Sequence, residues 1–319
     1  MTALISNIQH YTIHDGPGIR TAVFFMGCTM QCIWCSNPET LEMRPRLASH
    51  PEKCLTQAKC GLCADVCPRG LIAFDGGGLL ESISISHECG NCRGCANACP
   101  PRAIRAWGES MTVPQLMRMI EGDRGFYDRS GGGATLTGGE VMLQWEFAAE
   151  LLKSCQDARI NTCVETALHC PTEHMEAVYR HADFVITDIK HMDSTAHKNI
   201  TGVGNELVLY NLRRTVELGK KLVIRTPVIP GYNGDEENIR ATAAFIRDEL
   251  GGNIAAYQLL PYRPLGVEKY KALGIPYPMA AYDAPPREEW EQNLTYLAAM
   301  VTDEYGLPAM PGTSGKVEY

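Results

Sequence analysis

The sequence predicts an α/β fold: a partial (β/α)6 TIM-type barrel interrupted by a small cysteine-rich insert. Three observations carry that prediction. About six strand-like apolar runs between Thr21 and Tyr262 alternate with helical stretches, as parallel strands joined by helical crossovers do. A chain of 319 residues is short for eight such units once an insert is subtracted. Eight of the 14 cysteines crowd residues 49–106, a stretch short of secondary-structure pattern. The chain divides accordingly into a first part of the barrel (1–48), the insert (49–106) and the remainder of the barrel (107–319).

Taken in order, TAVFF (Thr21–Phe25) reads as a buried strand running straight into Gly27 and Cys28. After the insert, Thr112 caps a helix over TVPQLMRMIEGD, with Leu116, Met119 and Ile120 on its apolar face. ATLTGG is a strand ending in glycines, and LQWEFAAELLKSCQDA is a helix. NTCVET and DFVITDIK are strands, each preceding a helical stretch. KLVIRTPVI and IAAYQLLPY complete the set, with the helix DEENIRATAAFIRDEL between them. Chemistry in such barrels sits at the C-terminal strand ends. There the sequence places GCTMQCIWC, TGGE, ETALHC, TDIK and LLPYRPLG, with Arg225 in the fifth strand. Singly, each has a plain explanation as a turn, a cap or a surface charge. One at every strand end points to a site.

Composition narrows the function classes. With 45% hydrophobic and 21% charged residues the chain is a folding one, and its formal charge of −8 gives no basic surplus for nucleic acid. No apolar run reaches the ~20 residues that span a bilayer, so no membrane partner is expected. MTALISNIQHYTIHDGPG lacks the basic start and apolar core of a signal peptide. A cytoplasmic location is expected, where clustered cysteines bind metal more often than they form disulfides.

Eleven of the 14 cysteines fall into three groups. CGNCRGCANACP (Cys89, Cys92, Cys95, Cys99) has the C-x2-C-x2-C-x3-C-P spacing of two-cluster ferredoxins, in which the fourth cysteine crosses to the other cluster. CLTQAKCGLCADVCP repeats it with a longer first gap, five residues between Cys54 and Cys60. One [4Fe–4S] cluster is thus assigned to Cys54, Cys60, Cys63 and Cys99, and another to Cys67, Cys89, Cys92 and Cys95. The insert is ferredoxin-like in this sense, held together by its metals. A pair of zinc knuckles or a disulfide scaffold is the competing reading, and the Cys-Pro endings and the compartment disfavour it. Cys155, Cys163 and Cys170 read as small buried hydrophobes.

The remaining group, Cys28, Cys32 and Cys35, has no fourth cysteine nearby. A [4Fe–4S] cluster on three thiolates leaves one iron open to a chelating amine and carboxylate. S-Adenosylmethionine has that chelating end beside a sulfonium whose C–S bond breaks on one-electron reduction. The C-x3-C-x2-C spacing with Trp34 before the last cysteine resembles the radical S-adenosylmethionine enzymes. Further segments narrow the resemblance: HDGPGIRTAVFFMGC, CSNPET, GGGATLTGGE, DIKHMDSTAHKNITGV, RTPVIPGYN and LLPYRPLGVEKYKALG. Together, in order over residues 5–275, they resemble the glycyl-radical-enzyme activating enzymes, in the branch with a two-cluster insert.

That resemblance implies roles for particular residues. Trp34, Cys35 and Ser36 flank the cofactor, the aromatic beside its adenine. Gly138, Gly139 and Glu140 match a GGE segment that binds the methionine amine. Asp188, Ile189 and Lys190 match a D-x-K motif, with Lys190 directed to the ribose. Glu165, Thr166 and Asp188 match oxygen ligands of a monovalent cation, Na+ or K+. Arg225 matches an arginine that pairs with the methionine carboxylate. Asp15 lies in the DGPG loop, which contacts the partner's glycyl loop, though DGPG is also an ordinary tight turn. Two positions depart from the family pattern. Val141 stands where it has Pro or Ala, and Arg263 replaces a histidine near the ribose with a side chain that donates but cannot accept.

The implied activity is reductive cleavage of S-adenosylmethionine to methionine and a 5′-deoxyadenosyl radical, which abstracts a hydrogen from a glycine Cα of a glycyl radical enzyme. Three [4Fe–4S] clusters, a flavodoxin or ferredoxin as electron donor and a monomeric chain go with it. Two other readings stay open at this point. One is a radical enzyme with a small-molecule substrate; the other is an electron carrier, for which the three-cysteine group has no use.

Overall fold

In the computed structural model, which describes residues 1–83, 89–90, 92–313 and 317, the chain opens with a long strand, β1 (Thr2–Thr12). It runs antiparallel to β2 (Arg20–Phe25), with Ile5 opposite Phe25 and Thr12 opposite Arg20. The sequence pattern does not reveal β1. Only Ala3 and Ile5 are fully buried along it, too few to mark an alternation. β2, in contrast, is buried almost throughout, as a central strand is.

The insert follows: β3 (Arg46–Ser49), α1 (Leu62–Asp65), β4 (Ile72–Phe74), β5 (Leu80–Ile83), α2 (Gly94–Asn97) and β6 (Ile104–Trp107). β3 and β6 pair antiparallel, Arg46 opposite Trp107 and Ser49 opposite Ile104, which clasps entry and exit side by side. That neck straddles the 49–106 limits expected for the insert. The two cysteine runs repeat a shape: each short helix follows a left-handed residue (Gly61, φ 66°; Arg93, φ 63°) and buries one cysteine, Cys63 or Cys95. Around these two cysteines gather Leu47, Leu80, Ala103 and Ile104, a core of few side chains.

Back in the barrel, β7 (Glu109–Thr112) pairs antiparallel with the free side of β1. α3 (Val113–Gly122) starts at a capping box of Thr112 and Gln115 and buries Val113, Leu116 and Ile120. Met119, expected on that face, is 37% exposed; the buried face turns instead toward Met117. Then come α4 (Arg124–Ser130), β8 (Gly133–Gly138), α5 (Trp145–Asp157), β9 (Asn161–Thr166), α6 (Thr172–Tyr179), β10 (Phe184–Asp188), α7 (Ser194–Thr201) and α8 (Glu206–Glu217). The chain finishes with β11 (Lys221–Val228), α9 (Glu236–Asp248), β12 (Ala256–Pro261), α10 (Val267–Leu273), α11 (Arg287–Tyr305) and β13 (Ala309–Pro311).

The strands form one sheet, ordered β13-β12-β11-β10-β9-β8-β2-β1-β7. β2 and β8 to β12 are parallel neighbours, the six-stranded arc of a (β/α)6 barrel, with short β13 added at one end. Helices cover the outer face over a core that includes Leu136, Val164, Val185, Leu222 and Ile224. The inner face is mixed: Cys163, Ile186, Val223 and Ala256 lie near buried Thr135, Arg225 and Gln258. Among the described residues the outermost strands β7 and β13 do not pair, so the barrel has a seam. Across it Thr313 Oγ1 and His14 Nδ1 stand 2.8 Å apart. Cys155, Cys163 and Cys170 are buried. Among the described residues, no helix is long and apolar enough to cross a membrane.

Candidate active site

The loop after β2 is fixed by backbone bonds. Gly27 N donates to Thr40 O at 2.8 Å, Gln31 N to Thr201 O at 2.7 Å and Ile33 N to Ile200 O at 3.0 Å, tying the loop to the end of α7. Cys28, Cys32 and Cys35 line one cavity of about 360 Å³, and no fourth cysteine lines it. Two sulfurs accept backbone N–H groups: Cys28 from Met30 and Cys35 from Asn37, both at 3.4 Å. Burial pushes the Cys28 and Cys32 thiols up to about 12 and Cys35 to about 11. As free thiols these side chains hold their protons, and a bound metal is what removes them.

The opposite walls come from the other strand ends. Thr137, Gly138 and Gly139 close β8 over the cavity. A Cβ on Gly138 (φ +123°) would lie 2.3 Å from Phe25 N, and one on Gly139 would lie 2.0 Å from Gly27 O. Glycine is required there by the approach of two backbones. Glu165, Thr166, Asp188, Lys190, Trp34, Ser36 and Arg263 line the same cavity. Asp188 accepts from Lys190 Nζ at 2.6 Å. Burial alone would lower the Lys190 ammonium, but the charge and hydrogen bond of Asp188 outweigh it and hold it above its ordinary value.

Four expected site residues stand outside the cavity lining. Glu140 is fully buried and its carboxylate accepts from Met142 N (3.1 Å), Thr166 Oγ1 (2.7 Å) and Ala167 N (2.9 Å). It braces the ends of β8 and β9 against each other. Burial raises its carboxyl above the usual range. Ile189 packs in the core, its N–H donating to Arg225 O at 2.9 Å. Arg225 donates to Glu165 at 2.6 Å, to Gln258 Oε1 at 3.0 Å and to the His14 carbonyl. Asp15 lies in the loop before β2, its carbonyl accepting from Thr135 Oγ1 on β8 at 2.6 Å, and its charge acts on Glu165 and Arg225.

Sequence reasoning also missed residues. Lys269 on α10 donates to Asn37 Oδ1 (2.8 Å) and Glu39 Oε1 (2.6 Å), clamping the segment after Cys35. Leu168, after β9, is a buried non-glycine residue at φ 58°, held by Asn211 Nδ2, which donates to the carbonyls of Leu168 and Cys170, each at 2.9 Å. The first clamp has no local signature, and a leucine gives no hint of a left-handed backbone.

The Radical SAM superfamily model matches residues 88–243. The (2S)-3-sulfopropanediol dehydratase activating enzyme of Klebsiella oxytoca is 43% identical over 98% of each chain. The chain belongs to the glycyl-radical-enzyme activating enzymes. The choline trimethylamine-lyase activating enzyme of Oleidesulfovibrio alaskensis is 40% identical over 87% of this chain and 89% of its own. Streptococcus suis SuiB bound to precursor peptide SuiA shares the fold, with TM-score 0.54 at 12% identity over 90% of this chain and 46% of that one.

As a member of this family the activating enzyme uses S-adenosylmethionine and a [4Fe–4S] cluster and serves a glycyl radical enzyme. Its residues fit the group: three half-buried thiols, two with N–H donors at sulfur, share one cavity with a buried lysine. Among the described residues no three His, Cys, Asp or Glu side chains converge tightly enough for a single ion. A four-iron cluster spreads its ligands over separate corners, so thiols spaced around a cavity are what it needs. In the insert, Cys54, Cys60, Cys63 and Cys99 line one cavity, and Cys67, Cys89, Cys92 and Cys95 line another. Cys99 of the second run thus shares a cavity with three cysteines of the first, and Cys67 of the first with three of the second. The Cys67 sulfur accepts from Leu71 N at 3.4 Å, and backbone donors lower its thiol.

Proposed function

We propose that Cys28, Cys32 and Cys35 hold the cluster and that the approximately 360 Å³ cavity takes S-adenosylmethionine. One observation carries the reading: three thiols and no fourth share a cavity with glycine backbone, a buried lysine and two carboxylates. When bound and reduced by one electron, the pair supplies methionine and a 5′-deoxyadenosyl radical that takes a hydrogen from a glycine Cα of the partner.

The chain's own residues bind and orient. Trp34 and Ser36 flank the adenine side, and the Gly138–Gly139 backbone, held by Glu140, faces the methionine amine. Lys190 reaches the ribose, with Arg263 as a second donor. Arg225 turns its fork from Glu165 to the methionine carboxylate. Once Arg225 and Lys190 engage the ligand, Glu165 and Asp188, with Thr166, are released to hold a Na+ or K+ ion. Ile189 positions its neighbours through its bond to β11, and Asp15 presents the DGPG loop to the partner's glycyl segment.

The insert carries two further [4Fe–4S] clusters, on Cys54, Cys60, Cys63 and Cys99 and on Cys67, Cys89, Cys92 and Cys95. It receives an electron from flavodoxin or ferredoxin. The enzyme acts as a monomer on a glycyl radical enzyme that eliminates a group from a small substrate, the kind named for its relatives. The test is anaerobic: reconstituted enzyme, S-adenosylmethionine, reductant and a candidate partner encoded beside it. A glycyl radical signal with matching methionine and 5′-deoxyadenosine is expected. Absence of any S-adenosylmethionine cleavage overturns the reading.

A further inference from the structure

A second cavity, of about 640 Å³, lies against the first. The two share a wall made of Pro261, Tyr262 and Arg263. Tyr277 lines the second cavity and does not line the first. The Tyr262 and Tyr277 hydroxyls are 2.7 Å apart, and either can donate. When Tyr277 donates, the O–H of Tyr262 remains available to the cofactor side. Both rings pack with Trp34, Ile229 and Met279, and the Tyr282 ring stands 5.4 Å from that of Tyr262. Burial raises the Tyr277 phenol, so it keeps its hydrogen at neutral pH.

We infer that Tyr262 and Tyr277 form a hydrogen-atom relay that disarms a radical made when no glycine is in reach. The inference rests on the radical chemistry proposed above. A primary alkyl radical takes hydrogen from a phenol downhill, because the C–H bond formed is stronger than the O–H bond broken. In the first step the 5′-carbon gains the Tyr262 hydrogen, giving 5′-deoxyadenosine and a Tyr262 phenoxyl. In the second, the hydrogen of Tyr277 crosses the 2.7 Å contact, restoring Tyr262 and leaving the phenoxyl on Tyr277. In the third, a small thiol entering the second cavity gives its S–H hydrogen to Tyr277 and leaves as a thiyl radical. Each step moves one hydrogen atom, and both tyrosines end as they began. A glycine seated in the first cavity pre-empts the relay by proximity.

Phenolic hydrogens exchange with solvent and carbon-bound ones do not, which makes the relay visible. The reconstituted enzyme is incubated in D2O with S-adenosylmethionine, a small strong reductant and L-cysteine, without partner, and 5′-deoxyadenosine is analysed by mass spectrometry. The parent should yield monodeuterated 5′-deoxyadenosine, and Tyr262→Phe should lose that label. Tyr277→Phe, whose side chain is outside the cofactor cavity, should keep the label. It should also accumulate a phenoxyl signal by electron paramagnetic resonance that L-cysteine no longer clears. Unlabelled product from the parent, or an undiminished label in Tyr262→Phe, overturns the relay. If Tyr262→Phe makes no product, Tyr277→Phe decides alone, and a parent-like thiol response there overturns it. A parent that makes no 5′-deoxyadenosine at all refutes the proposed activity instead.

Discussion

Arg225 on β11 and Glu165 on β9 form an ion pair at 2.6 Å across the inner face of the barrel, and the same guanidinium holds the His14 carbonyl beside the seam. One side chain thus links the cavity that Glu165 lines to the loop that carries Asp15.

Replacing Arg225 with Lys keeps the charge and removes the fork. Loss of one charged hydrogen bond costs about 1.5–3 kcal/mol, so S-adenosylmethionine should bind roughly tenfold or more weakly at unchanged iron content. Equilibrium binding and iron analysis on one preparation check this. Parent-like affinity would remove Arg225 from the ligand's reach.

Changing Cys28, Cys32 and Cys35 together to Ala should lower iron from roughly twelve to roughly eight atoms per chain, by four-iron counting, and abolish S-adenosylmethionine cleavage. Surviving cleavage would place the open-iron cluster elsewhere.

Cys92 is exposed and Cys63 buried, so Cys92→Ala is the gentler probe of the insert. A relay role predicts slow glycyl radical formation with flavodoxin and near-parent rates with a small, strong reductant. Equal rates of variant and parent with flavodoxin would leave the insert as a brace or docking surface.

Asn211→Leu strips two donors from the carbonyls of Leu168 and Cys170, which then stay buried without these partners. The expected cost is about 1–3 kcal/mol, read as a lower denaturation midpoint. An unchanged midpoint would mean that the left-handed turn at Leu168 holds without this clamp.

His197 is buried on α7, its Nδ1 donating to the Val203 carbonyl at 2.7 Å. Burial lowers its pKa, and nearby Lys190, His191 and His169 push the same way. The unfolded chain therefore binds this proton more readily. Its contribution is fully present above the ordinary histidine value of about 6.5 and is lost as pH falls through that value toward the folded one. Denaturation midpoints at neutral and mildly acidic pH should diverge less in His197→Gln than in the parent; equal divergence would acquit His197.

The strand ends were legible because function leaves odd residues there. GCTMQCIWC, TGGE and TDIK interrupt apolar runs with side chains no core requires, and they line one cavity. β1 was not legible, since its two buried residues leave no period. Nor was the inward bracing of Glu140: the sequence shows an acid beside glycines, and only the fold brings Thr166 and Ala167 to it. Met119 misled because helical spacing fixes which residues share a face but not how far that face extends. The phenol pair needed the loop between β12 and α11 to return Tyr277 to Tyr262, fifteen positions apart in the chain.

Among the described residues β7 and β13 stay unpaired, which leaves the barrel open along one side. A reactive glycine in the middle of a polypeptide is tethered on both sides. A sheet left open between its outermost strands gives the two flanking lengths of chain more lateral room than a closed ring of the same strands would.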